Sequence, residues 1–349
     1  MRIFNVLLTA IIILGVAGSV SAQTSAVNVS IVTDEAEAVL AIFEKTKASQ
    51  PVTDADWQRV FQSEGYTRLK KRETSMQRSF EDSDFKTFVL SEQLAARAQA
   101  LKDTLEQWKR ADITRAVRFA LAYLPKDAYI RAKIYPVIKP RENSFVFEVK
   151  TDPAIFLYLD PSKSASKIEN TLAHELHHIG YGTSCPRHEV SAEIAKLSPN
   201  AQTALRWTGA FGEGFAMLAA AGGPDVHPHA VSDAGERAQW DKDVANFNAD
   251  LKKVEKFLID VLEKKLTDEQ VQSTGFSFFG TQGPWYTVGW QMSVLIEKTF
   301  GRAKLMEVFC DQRQLFSTYN EAAAKHNRTA EEPLALWSPS LLDALRQSQ

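Results

Sequence analysis

Cysteine is scarce in this chain. Only Cys185 and Cys310 occur among its 349 residues. Two thiols cannot build a cysteine-based zinc site, so any metal here needs histidine and carboxylate ligands. The pair could form a disulfide in an oxidising compartment or remain as buried thiols, and the sequence leaves both open. Charge of one sign is lacking too. Lys and Arg number 41 against 43 Asp and Glu, a net charge of −2. Lys70-Lys71-Arg72 is the only basic run that stands out, and it reads as a solvated helix face. That balance gives no electrostatic footprint for nucleic acid. There is no internal repeat and no low-complexity tract. Past the N-terminus, no segment is apolar enough to span a membrane.

The N-terminus itself is different. Arg2 precedes an apolar stretch, Ile3 to Gly18, broken only by Asn5, Thr9 and Gly15. Val20-Ser21-Ala22 follows, with small residues suited to cleavage after Ala22. This pattern predicts a secretory signal over 1–22. An uncleaved anchor is the alternative, for which the stretch is barely long enough. The expected mature protein is exported, periplasmic or secreted, with no stable membrane anchor after cleavage.

The rest reads as helices, then a small sheet, then helices, an α+β arrangement. In 23–125, Ala36, Val39, Leu40 and Phe43 recur at helical spacing behind Thr33-Asp34. A short helix capped at Thr53 closes at Gly65, a longer one follows Ser91, and another runs from Ile113 to Leu124. Next come three β-rich runs, Ala132–Ile138, Ser144–Val149 and Ala154–Leu159. Pro136 marks the first as an edge or a bulge. The third is continuously apolar and reads as buried on both faces. After Pro161 the pattern predicts helices over 167–179, 213–221, 248–265, 288–299 and 303–325, and a tail from Ser338. No linker is obvious, so 126–349 and 23–125 are expected to form one continuous unit.

Chemistry concentrates in His174-Glu175-Leu176-His177-His178. Ser166 and Glu169 form a capping box that starts a helix just before it, and Gly180 and Gly182 end that helix. His174 and His178, four apart, project from one helix face and can reach one tetrahedral zinc ion. Glu175 lies beside them as a general base for metal-assisted hydrolysis. A polar histidine-bearing helix on a wet face is the plain alternative. A catalytic zinc needs a third protein ligand. Glu213, alone at the start of an otherwise apolar helix flanked by glycines, is the candidate; a surface Glu favoured by the helix dipole is its bland counterpart. His188, His227 and His229 are the fallbacks. An oxyanion donor is also needed. Tyr286 is the candidate, against simple packing beside Trp285 and Trp290, with His227 and His229 as rivals. His177 points about 100° from the ligand face and reads as a supporting or packing residue.

His174-Glu175-x-x-His178 followed by Gly212-Glu213-Gly214-Phe215-Ala216 resembles the gluzincin branch of zinc metallopeptidases. More closely, the chain is similar to an exported bacterial family of zinc-dependent peptidases whose function is unknown. Tyr123-Leu124-Pro125, Leu172 to Gly180, the Glu213 helix, Trp285 to Met292 and Tyr319-Asn320 carry that resemblance over most of the mature chain. It implies a zincin-like fold, Zn2+ as cofactor, His174, His178 and Glu213 as ligands, and a peptide or protein substrate. One departure matters. Thermolysin-like gluzincins carry an acidic residue a turn beyond the third ligand to orient a ligating histidine; here Ala216 and Met217 stand there. Two other functions fit the same residues: a cell-wall peptide amidase, and a metal-stabilised binding protein without turnover. The residue Glu175 speaks against the second.

Overall fold

The computed structural model describes residues 27–280 and 282–347. The expected signal segment, 1–22, lies outside them. The described residues open with strand β1 (Val27–Ile31) and continue through α1 (Asp34–Lys47), α2 (Asp54–Phe61), α3 (Glu64–Ser75), α4 (Asp82–Val89), α5 (Glu92–Ala95), α6 (Ala98–Lys109) and α7 (Ile113–Leu121). Strands β2 (Ile130–Val137), β3 (Phe145–Phe147) and β4 (Ala154–Tyr158) follow. The remainder is helical: α8 (Ala165–Ser184), α9 (His188–Ile194), α10 (Pro199–Thr208), α11 (Gly212–Ala221), α12 (Ala234–Ala245), α13 (Phe247–Leu262), α14 (Asp268–Ser277), α15 (Pro284–Phe300), α16 (Arg302–Cys310), α17 (Leu315–His326) and α18 (Pro339–Gln347). The class is therefore α+β, mostly helical, with a small sheet before the histidine-bearing helix.

The sheet has the order β1-β2-β4-β3. β2 pairs in parallel with β1 and β4, and β3 runs antiparallel to β4. The expectation that Pro136 places its strand at an edge needs correction, because β2 is internal. The pairing explains how the proline is tolerated. β1 covers Ile130 to Ile134 and stops, so Pro136 pairs only with Leu157 on the β4 side. Its missing N–H thus falls on a side with no β1 partner to bond. β4 is flanked on both sides and buried, as its apolar run requires.

Helix boundaries differ in instructive ways. The histidine-bearing helix starts at Ser164, whose Oγ accepts from Lys167 N, and not at Ser166. It runs through Gly180 and Gly182 to Ser184. Those glycines serve close packing. A Cβ on Gly180 would stand 2.2 Å from Leu124 Cδ1, and one on Gly182 would stand 2.9 Å from Val149. Likewise Gly65 does not close α2; it sits inside α3 against the Cβ of Glu35. The single helix expected over 303–325 is two, α16 and α17, broken at Asp311.

Two main apolar cores result. One joins α1, α6, α7, β2 and the inner face of α8, including Ile168, Leu172, Leu176 and Ile179. The other joins α11, α13, α15 and α17, including Phe215, Leu218, Val288 and Met292. The structure pairs Cys185 with Cys310 across 125 residues, tying the end of α8 to the end of α16. Tyr181 reinforces that tie by donating to Phe309 O at 2.6 Å. A loop of this length makes the crosslink worth about 2–5 kcal/mol. The double variant Cys185→Ser/Cys310→Ser is expected to lose that much unfolding free energy in a urea titration, with a lower midpoint and a steeper slope as the freed unfolded chain exposes more surface.

One buried acid predicts a pH effect. Glu35 is 1% exposed; its Oε2 accepts from Ile138 N at 3.0 Å and its Oε1 has no partner. Burial, only partly offset by that bond, pushes its carboxyl up to about 8. The folded state thus holds this proton more tightly than the unfolded chain. The resulting stability is full below the unfolded value near 4.5 and is lost as pH rises through 8. The loss is on the order of 5 kcal/mol across that window. Glu35→Gln keeps the acceptor and is expected to raise Tm at pH 9 while leaving it unchanged at pH 4.

Candidate metal centre

The geometry begins with α8. Its four-residue spacing brings His174 and His178 to one face with their Nε2 atoms 3.0 Å apart. α11 supplies the third group. This helix is almost wholly apolar, with Glu213 in its first turn and Gly222 in the left-handed conformation (φ 89°) closing it. Glu213 Oε2 lies 3.2 Å from each histidine Nε2. The three side chains are 13–20% exposed.

Protons alone cannot satisfy this triangle. If both rings donate to Glu213, their N–H groups face each other at 3.0 Å. A cation resolves all three contacts at once. A tetrahedral ion with 2.0–2.1 Å bonds needs donor atoms about 3.3 Å apart, close to the spacing seen. Among the described residues, His174, His178 and Glu213 are the group with metal-ligand geometry. Burial acts to raise the Glu213 carboxyl, yet His178 and His174 hold it well below the usual carboxylate range. Burial acts to lower His178, but Glu213 outweighs it and pushes the ring up to about 9. A ligating imidazole must be neutral, so zinc and this proton compete for the same ring.

Glu175 is half-buried beside the triangle. Burial raises its carboxyl, opposed by His174 and His178. Tyr286 enters from the first turn of α15, after Pro284 at its start. Its ring stacks on His174 at 6.5 Å between centroids. Burial, then the charges of Glu213 and Glu175, push its hydroxyl well above the ordinary value, so it stays protonated. Close backbone contact fixes this placement. A Cβ on Gly214 would lie 2.0 Å from Trp290 N, and one on Gly289 would lie 2.5 Å from Phe211 O. α11 and α15 can approach this closely only because both positions are glycine.

The remaining histidines lie outside this group. His188 is exposed at the start of α9. His227 has both ring nitrogens engaged, with Asp241 and with His229 N. His229 is buried, with Nδ1 on Ser232 Oγ at 2.9 Å. His177 is buried against Phe215 with Nε2 at 3.4 Å from Tyr123 O, and burial drops its ring to about 3. The second nitrogen of His174 has no protein partner. Ala216, fully buried, and Met217 offer none.

A family model described as "Putative zinc dependent peptidase (DUF5700)" matches residues 40–328. Neither the curated proteins nor the solved structures yield a match.

Proposed function

The chain belongs to this family of zinc-dependent peptidases, with Zn2+ as its cofactor, and on that premise we propose that it is an exported, gluzincin-like metallopeptidase with a zincin-like fold. The convergence of His174, His178 and Glu213 within hydrogen-bond distance of one another carries the reading. These three hold the zinc. When bound, it polarises the peptide carbonyl and makes a water nucleophilic at neutral pH. Glu175 takes a proton from the attacking water and later gives it to the leaving nitrogen. A carboxyl raised by burial suits both halves of that task. The Tyr286 hydroxyl donates to the carbonyl oxygen as negative charge develops there.

The substrate lies along the sheet edge. β4 is paired on both sides, so its neighbour β3 is the strand that offers main-chain groups to an extended peptide. The test combines zinc analysis with cleavage of casein, short peptides and peptidoglycan. About one zinc per chain with casein or peptide cleavage is expected. Cleavage of peptidoglycan alone would move the activity to the cell wall, and zinc without any cleavage would sink the peptidase assignment. In the same assay Tyr286→Phe is expected to lower kcat by about 10²-fold with zinc retained. An unchanged kcat would return Tyr286 to a packing role.

A further inference from the structure

A cavity of about 130 Å³ lies between α8 and the sheet, with Thr171 of α8 in its lining. Trp108, Leu157 and Ile168 give it one apolar wall. Its place follows from two other lining residues. Thr171 stands one turn before Glu175 on α8, so their Cβ atoms are about 6 Å apart. Ser144 immediately precedes β3 and accepts weakly from Tyr158 N at 3.4 Å. The recess therefore adjoins the path of a peptide laid along β3, one turn from the proposed base. An apolar cavity of about 150 Å³ holds a benzene-sized group, so this one has room for a single side chain.

Charge decides which side chain. Glu142, Asp160 and Lys163 line the recess. Glu142 accepts from Tyr158 Oη at 3.1 Å and faces Arg97 at 3.8 Å. Lys163 Nζ is bound to Glu236 at 2.5 Å. Its charge also senses Asp160, but the ammonium is committed elsewhere. Asp160 makes no ion pair within 4.0 Å among the described residues. Its Oδ1 accepts from Ser162 N and Ser162 Oγ at 2.9 and 2.8 Å, leaving Oδ2 for a ligand.

Building on the peptidase reading, we propose that this recess receives a lysine or arginine side chain of the substrate close to the scissile bond. The methylene stem lies on Trp108, Leu157 and Ile168, and the cationic head meets Asp160. Asp160 is then a specificity residue.

The test uses zinc-loaded Glu175→Gln protein and capped alanine pentapeptides with a central lysine, norleucine or glutamate. Calorimetric titration is expected to show the lysine peptide binding about tenfold tighter than norleucine, with glutamate weakest. Asp160→Asn keeps the acceptor for Ser162 and removes the charge. On that background it is expected to abolish the lysine preference without changing norleucine binding. Equal affinity for lysine and norleucine, or a preference that survives Asp160→Asn, would overturn the proposal. Wild-type cleavage of the same peptides separates the two readings. Asp160-dependent lysine binding with no cleavage leaves the recess standing and removes the peptidase. Cleavage with no lysine preference does the reverse.

Discussion

Replacing Glu175 by glutamine is expected to lower kcat on any cleaved peptide by about 10³-fold while zinc content stays at the wild-type level. General acid–base groups contribute 10²–10⁴-fold, and this side chain is assigned both proton transfers. Glutamine matches its size and keeps a polar head, so α8 and the ligand triangle should be undisturbed. The informative readout is the split between the two measurements. Metal analysis should give equal zinc per chain, and KM should move little because no substrate contact is assigned to Glu175 in the ground state. A variant with full zinc and wild-type kcat would remove Glu175 from the chemistry. A variant that loses zinc would instead place its carboxylate among the ligands.

The second large effect concerns Glu213. Glu213→Ala is expected to weaken zinc binding by more than about 100-fold. Even partners that merely orient a ligand cost 10–100-fold when removed, and Glu213 Oε2 is itself a corner of the triangle. Competition with a chromogenic chelator would measure this directly. The pair His174 and His178 would remain, 3.0 Å apart and with no counter-charge from α11. Undiminished affinity would show that the metal lies elsewhere, since Glu213 is the one acidic residue that joins the two histidines in a ligand group among the described residues.

Much of this was legible in the residues. The four-residue histidine spacing needs only helix geometry, and the lone carboxylate at the head of an apolar helix needed a reason. The α+β order also follows from the pattern. What escaped has physical causes. Gly180 and Gly182 read as helix stops because local propensity is all that a sequence displays; their packing against Leu124 and Val149 is a tertiary fact. The same holds for Gly214 and Gly289, whose use depends on which helix crosses which. β1 was missed although Val27-Asn28-Val29-Ser30-Ile31 alternates as a half-buried strand should. Pro136 could not reveal that its neighbour strand stops two residues short of it. The recess beside Glu175 is assembled from four separate stretches of chain, which no local pattern connects.

The two apolar cores give the zinc a second role. Its proposed histidine ligands ride on a helix whose inner face belongs to one core, and its proposed carboxylate ligand rides on a helix anchored in the other. The ion is therefore a strut across the seam, and the seam's strength becomes a function of free metal. At a free zinc concentration a thousandfold above Kd, that strut adds about 4 kcal/mol to the folded state. The protein's durability is in this sense borrowed from its surroundings, rising and falling with the zinc they supply.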